Sequence, residues 1–514
     1  MAEARRTDLP PNVRMLIDLL KQPEKGELNY DGKEKRISRL DALRELKRLE
    51  ESGVISSSRT KRGVNLHIHT SESFSVFASP SEAAWTGYAA GLEVMGINDH
   101  YTVDGHREFG RACEILGLRA AFNIEAMAMS KEAKKNGERY NDPRNPGRTY
   151  LCGKGVAEDL EPGSPSENLL RNARAAFSKR CREMTGKADG MLRKIDPSLH
   201  LSFGDVLQLT PRGNVTERHV AEALIQLIDH RFPDDEERRR FTSRLIGRIE
   251  DEDISHDDTF QDIVRNKLLK VGGPAYVEEP PEAFPSIREL VQLFRDFGAI
   301  PTYPVLGNPV TEKESDLESL FDELEGYGIY AAEVIPKRNA RKRLKEILQV
   351  AEQHGFPVFN GTEHNTKAHE PLLDHFSRDP AFLPMFRQGA HVVLGHQFLS
   401  RYAGKGYLDQ RGRLTFEDRE TGKSLFSFAG RSVWPEEVLQ WLSEIGKDNV
   451  FKVILVLHSL LSRKATHELR VKPDFRIPDR ILAKAHVKEG LVSFADEDVK
   501  NEFEDRAKKS LVVV

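Results

Sequence analysis

The chain has 514 residues, enough for about three ordinary domains, although one barrel with insertions absorbs much of that length. Its 77 Lys and Arg nearly balance 81 Asp and Glu, and a formal net charge of -4 supplies neither a basic field for nucleic acid nor an acidic tail. The three cysteines, Cys113, Cys152 and Cys181, are odd in number and lack C-x-x-C spacing, which argues against a disulfide framework or a cysteine zinc site and fits a reducing cytoplasm.

The opening "MAEARRTDLPPN" lacks the apolar core of a signal segment, and "VILVL" at 453–457 is far too short to span a bilayer, so no membrane partner is expected. Residues 1–62 read as a helical N-terminal extension of two amphipathic helices ending in the linker "SSSRTKRG". From residue 63 the pattern becomes regular. "GVNLHIHT", "LEVMGIND" and "LRAAFNIEAMAM" read as strands, separated by the helices "SEAAWTGYAAG" and "DGHREFGRACEILG". In the second helix Phe109, Ala112, Cys113 and Leu116 form one apolar stripe that can lie on a sheet.

Residues 131–275 have a different texture, with "NDPRNPGRTY", "LEPGSPSE" and helices such as "RHVAEALIQLIDHRF"; they read as a helical insertion. The βα rhythm resumes over 276–370. A capping box from Ser286 to Glu289 opens a helix striped by Ile287, Leu290, Val291 and Phe294. "GAIPTYPVL", "YAAEVIP" and "FPVFNGTEHN" follow as strands, with a charged helix carrying Leu344, Ile347, Leu348 and Ala351 before the last. Residues 371–514 read as a mixed C-terminal extension, with a hairpin expected in "KGYLDQRGRLTFEDRETGKSLFSF". The fold class is α/β, a parallel sheet or barrel.

The chemistry concentrates at strand ends. In "VNLHIHTSES" side chains alternate faces, so His67 and His69 project together while Leu66 and Ile68 point into apolar packing. The second strand ends in Asn98-Asp99-His100, the third carries Glu125, and the last ends in Glu363-His364-Asn365. Polar groups at the carboxyl ends of parallel strands converge in space across some 300 positions. A lone strand-end histidine is commonly a hydrogen-bonded structural residue. Four such ends together favour a metal centre, and imidazole with carboxylate suits zinc, manganese or iron.

These motifs carry a resemblance. "NLHIHTSESFS", "GINDHYTVDGH" and "NIEAMA", with "VTERHVAEAL", "FQDIVRNKLLKVGGPAYV" and "GAIPTYPVLGNP" further on, resemble the PHP (polymerase and histidinol phosphatase) family over roughly residues 63–368. The resemblance implies a distorted (β/α)7 barrel of the PHP type with a helical insertion, and metal-dependent hydrolysis of phosphate esters. It implies metal ligation by His67, His69, His100 and Glu125, with Glu125 bridging, and closing ligands from Glu363 and His364. The chain departs from the family pattern in three places. Ser73-Phe74 stands where the first motif has an acid, Tyr303-Pro304 where the return strand has His-Pro, and Glu363-His364-Asn365 where the closing motif is D-x-H.

The expected protein is a cytoplasmic metal-dependent hydrolase, a phosphoesterase acting on a small anionic substrate with one or two divalent transition-metal ions and without nucleic acid. The alternatives are another chemistry on the same scaffold, such as carbohydrate hydrolysis or elimination, and a non-catalytic binding protein. The expected catalytic residues are Asp99, orienting a ligand histidine or assisting proton transfer, His219, near the substrate, and Tyr303, as a phenolic donor. Arg338, Arg341 and Arg343 read as a solvated helix face, His391 and His396 as flanking a strand-like run, and "KVGGP" as a turn.

Overall fold

In the computed structural model the βα rhythm closes into a barrel; the described residues are 9–22, 28–30, 33–35, 37–55, 63–210, 212–247, 257–307, 309–366, 370–461, 469–488, 491–509 and 511–513. Seven strands follow one another around it in chain order. They are β1 (Gly63–Ile68), β2 (Leu92–His100), β3 (Arg119–Met129), β4 (Arg148–Lys154), β5 (Ile300–Val305), β6 (Ala332–Val334) and β7 (Val358–Asn360). Neighbours run parallel except at β4, which is antiparallel to both β3 and β5. The seam is drawn together just beyond β7, where the His67 carbonyl accepts the N–H groups of Thr362 and Glu363 at 3.1 and 2.8 Å, and His69 N–H donates to the Glu363 carbonyl at 2.7 Å. The architecture is a distorted (β/α)7 barrel.

Strand β4 lies inside the stretch that reads from sequence as a helical insertion. Its flanks are rich in Pro, Gly and Asn, and its inward face carries Tyr150, Cys152 and Lys154, so it lacks the apolar alternation that marks a strand.

Helices α1 (Pro11–Leu20) and α2 (Arg39–Glu51) pack Val13, Leu16, Leu43 and Leu46 into one core with Trp85 and Tyr88 of α3 (Pro80–Ala90) and Phe109 of α4 (His106–Leu116). Arg39 Nε donates to Glu108 Oε1 at 2.8 Å and pins α2 to α4. The long α5 (Pro165–Ile195) and α6 (Glu217–Arg231) build a second core from Met184, Leu192, Val220 and Leu224, joined by Leu268 of the π-helical turn Arg265–Leu269. Helices α7 (Ile287–Asp296), α8 (Leu317–Tyr327) and α9 (Arg341–Gln353) contribute Phe294, Phe321 and Ile347 to the main core around the return strands.

The last pair, α10 (Leu383–Ala403) and α11 (Arg419–Arg431), cross backbone to backbone. A Cβ on Gly395 would lie 1.8 Å from the Phe426 carbonyl oxygen, and one on Gly430 would lie 1.8 Å from that of His391. Helix α10 closes the amino-terminal end of the barrel. Gln397 caps the start of β3, accepting from Phe122 N–H at 2.9 Å and donating to the Ala120 carbonyl at 3.2 Å, and His396 Nε2 donates to the Gly298 carbonyl at 2.6 Å.

His391 and His396 thus sit on a helix at the end of the barrel remote from the strand-end histidines. The run Val392, Val393, Leu394 is apolar all round because the helix is buried, and a buried helix cannot be told from a strand by periodicity alone. The hairpin expected near 405–428 is also absent among the described residues. Its second half is α11, and a single bridge joins Leu408 to Leu414. No helix among the described residues is long and apolar enough to cross a membrane.

Candidate metal centre

At the carboxyl end of the barrel three histidines converge on one carboxylate. His67 Nε2, His69 Nε2 and His100 Nδ1 each lie 3.3 Å from Glu125 Oε2, and His67 Nε2 is 3.2 Å from His69 Nε2. His69 and His100 stack at 4.4 Å between ring centroids. His67, His69 and Glu125 are buried, and His100 Nδ1 is a buried polar atom with no hydrogen-bond partner. Bonds of about 2.0–2.2 Å to a tetrahedral ion place neighbouring ligand atoms roughly 3.3–3.6 Å apart. The cluster has that donor set and almost that spacing, so the residues present fit a divalent metal.

Hydrogen bonds from outside the cluster orient two of the imidazoles, those of His67 and His69. His67 Nδ1 lies 2.8 Å from Glu333 Oε2, and a carboxylate can only accept, so Nδ1 carries a proton and Nε2 is the atom turned to the cluster, with the Asn98 amide nitrogen 2.9 Å from it. Burial opposes charge on His67, yet the Glu333 and Glu125 carboxylates together hold its pKa well above the usual imidazole range. His69 is the opposite case: burial and neighbouring His100 push it down to about 3. Its Nδ1 lies 3.3 Å from Ser73 Oγ, which donates to Asp99 Oδ1 at 2.6 Å. Asp99 also accepts from Thr70 N–H at 2.7 Å and Thr70 Oγ at 2.6 Å, which fixes the turn after β1. Asp99 therefore acts on His69 through Ser73. No larger side chain fits beside His67 at Gly361, where a Cβ would meet His67 Cβ at 2.1 Å.

Glu333 belongs to a dry network that the sequence reading passed over. Lys154 Nζ donates to Glu333 Oε1 at 2.6 Å and to the Leu66 carbonyl at 3.1 Å, and both side chains are wholly buried. Cys152 Sγ stands 3.5 Å from Glu333 Oε2. His67, Cys152 and Glu333 are close enough to hold an ion of their own. The Lys154 ammonium already neutralises Glu333, however, and burial pushes the Cys152 thiol up to about 11, so this inner group carries its own cation and a protonated sulfur.

The remaining expected residues are placed differently. Both Glu363 oxygens accept from Arg338, from Nη1 at 2.7 Å and Nη2 at 2.6 Å, and Glu363 is absent from the groups whose ligand atoms converge. His364 turns away from the cluster: its Nδ1 meets Thr362 Oγ1 at 2.8 Å and its Nε2 the Glu370 carbonyl at 3.0 Å. Tyr303 does not line the cleft. Thr302 pairs with Cys152 and Pro304 with Glu333, so those residues share the inward face, and by strand alternation Tyr303 points outward into the helix layer near Glu314, Tyr140 and Glu323. The phenol on the inward face is Tyr150, whose ring centroid lies 6.4 Å from that of His100. His219 stands behind the cleft wall, its Nδ1 accepting Thr216 N–H at 3.0 Å and its ring edge-on to Phe74 at 5.2 Å.

Glu125 and His100 open into a cleft of about 850 Å³ between the barrel and the helical region, with Arg144, Arg148, Arg180, Arg218, Arg265 and Arg338 in its walls. Arg341 and Arg343 are engaged elsewhere, with Asp379 and the Glu314 carbonyl. Glu217 anchors the far wall, paired with Arg265 at 2.7 Å, Arg180 at 3.4 Å, and Lys270. Burial would raise its pKa, but Lys270 and Arg265 hold it down at about 2.

A depressed carboxylate contributes stability that is present above its unfolded pKa of about 4.5 and is lost as pH falls through the folded value. Glu217→Gln is therefore expected to cost roughly 3 kcal/mol at pH 7 and to flatten the acid limb between pH 4.5 and 2. Denaturant unfolding at pH 7 and pH 3 checks it, and equal losses at both would show that the charge is not the cause.

No family model matches the chain, and no curated protein matches it. Among solved structures it is similar to a protein assigned as a metal-dependent phosphoesterase from Bifidobacterium adolescentis, at 19% identity and a TM-score of 0.42, over 62% of this chain and 92% of that one. It is also similar to an amidohydrolase from Chromobacterium violaceum, at 15% identity and a TM-score of 0.41, over 60% of this chain and 93% of that one.

Proposed function

We propose that this protein is a metal-dependent hydrolase of the PHP type, cleaving a phosphate ester of a small anionic metabolite. The observation that carries the proposal is the convergence of His67, His69 and His100 on one oxygen of Glu125, with no proton donor among the described residues meeting His100 Nδ1. A divalent ion of the zinc, manganese or iron kind, one or two per chain, supplies Lewis acidity and a coordinated water whose pKa is lowered toward neutrality. Everything else is done by the chain. Glu333 and Ser73 fix the imidazole tautomers, and Asp99 holds Ser73. Burial pushes the Tyr150 phenol well above its usual range, so at neutral pH it keeps its proton and can donate it in a hydrogen bond into the cleft. The cleft wall sets six arginines and Lys270 against six carboxylates, with Arg148, Arg180, Arg218, Arg265 and Arg338 each in an ion pair, and N–H donors left over on these groups suit a substrate with anionic oxygens.

Elemental analysis of the purified protein, followed by a phosphate-release screen over sugar phosphates and nucleotides with and without chelator, tests the reading. The expected result is bound transition metal and turnover that chelator abolishes. Protein that takes up no transition metal even on reconstitution would sink it.

A further inference from the structure

Two consecutive non-glycine residues, Glu363 and His364, hold left-handed backbone at φ 70° and 61°. Such residues cost of order 1–3 kcal/mol each and persist where the surroundings over-determine them. Here the surroundings are the metal-cluster strand itself. Glu363 exchanges backbone hydrogen bonds with His67 and His69, and Ser75 Oγ donates to the His364 carbonyl at 2.7 Å. The strained turn thus aims the Glu363 carboxylate at the Arg338 guanidinium, in a two-pronged pair at 2.7 and 2.6 Å, with a longer bond from Asn365 Nδ2 to Glu363 Oε2 at 3.3 Å.

Arg338 comes from the short turn Pro336–Arg338 directly after β6, the strand that supplies Glu333 to His67. Its side chain is 27% exposed against 9% for Glu363, so the guanidinium faces buried carboxylate on one side and open cleft on the other. The same cleft is walled by His100 and Glu125. A guanidinium has five N–H donors in a planar fork, and Glu363 takes two of them. What remains is a guanidinium of fixed position and orientation in the same cleft as the metal cluster, charge-balanced by Glu363 and with three N–H donors left, which suits the oxygens of a phosphoryl group.

We propose that Arg338 is the phosphoryl clamp of this centre, and that Glu363 serves as the holder of Arg338 rather than as a metal ligand; the proposal rests on the metal-hydrolase reading above. Glu363 fixes the guanidinium, the strained turn fixes Glu363, and the backbone bonds to β1 set both in register with His67 and His69. The guanidinium then stands in the cleft that His100 and Glu125 also wall, held ready for the non-bridging oxygens of the substrate.

The test uses full-length, metal-loaded protein with inorganic phosphate as the probe. Arg338→Met, Arg338→Lys and Glu363→Gln are compared with wild type for metal content by elemental analysis and for phosphate affinity by calorimetry. The expected outcome is unchanged metal content in all three, with phosphate affinity falling 10- to 100-fold in Arg338→Met. Arg338→Lys should recover part of that loss, because the charge returns without the fork, and Glu363→Gln should weaken binding to a smaller degree.

Phosphate binding unchanged in Arg338→Met overturns the proposal. So does loss of metal in Glu363→Gln, which would make Glu363 a ligand, and so does a wild type that binds no phosphate. A wild type without metal overturns the metal-hydrolase reading instead, and elemental analysis shows that before any variant is compared.

Discussion

Glu333→Ala is expected to lower metal affinity 10- to 100-fold and to destabilise the protein by about 3–5 kcal/mol, although Glu333 is not a ligand in the proposed centre. Two separate losses follow from one carboxylate. His67 loses the acceptor 2.8 Å from its Nδ1, which keeps a proton there and turns Nε2 to the cluster. Lys154 loses its counter-charge in a wholly buried place, where an uncompensated ammonium is far costlier than the intact pair. Burial alone would raise the Glu333 pKa, yet Lys154 and His67 hold it below the usual range, so the carboxylate is ionised throughout the neutral region. A second variant separates the two losses. Lys154→Met with Glu333→Leu removes both charges and should recover most of the stability but none of the metal affinity. Metal titration and denaturant unfolding read the two effects, and a Glu333→Ala protein that binds metal as wild type does would sink the account.

The strand-end placement of His67, His69, His100 and Glu125 was legible because each stands at or near the carboxyl end of a segment whose neighbours alternate cleanly, and parallel strands carry such ends to one place. Glu333 was not, because β6 is only three residues long and one charge in "YAAEVIP" reads as a strand edge. Lys154 and Tyr150 stayed hidden with β4, whose loop-like flanks mask it. Tyr303 was misplaced by one residue of parity. The motif order brings Tyr303-Pro304 to the right strand, but the register with β4 turns Thr302 and Pro304 inward and Tyr303 out. Arg338 was read with Arg341 and Arg343 as one charged face, yet it precedes α9 in a separate turn, where helical periodicity says nothing of its direction. Sequence pattern reports which face of a regular element a residue occupies; it does not report the direction of side chains in the turns between elements.

The paired substitution His67→Ala with His69→Ala is expected to remove metal binding, with affinity falling more than about 100-fold, and to cut turnover by roughly 10³-fold or more while the protein stays folded. The fold should survive because the apolar side of β1 is carried by Leu66 and Ile68, both fully buried, and its outer hydrogen bonds to residues 362 and 363 come from the backbone. The loss should nevertheless be near complete, because His100 and Glu125 alone offer one nitrogen and one carboxylate. Glu125 supplies an internal check. Burial would raise its pKa, but His100 and His67 hold it far below the usual range, so taking away His67 should bring it back up and make residual metal uptake more dependent on pH. The double variant therefore should bind what metal it can only toward higher pH, as the freed carboxylate loses its proton. Elemental analysis across pH 5–8 beside thermal unfolding decides the matter: metal retained at wild-type levels would put the centre elsewhere, and a collapsed unfolding transition would make the two histidines structural.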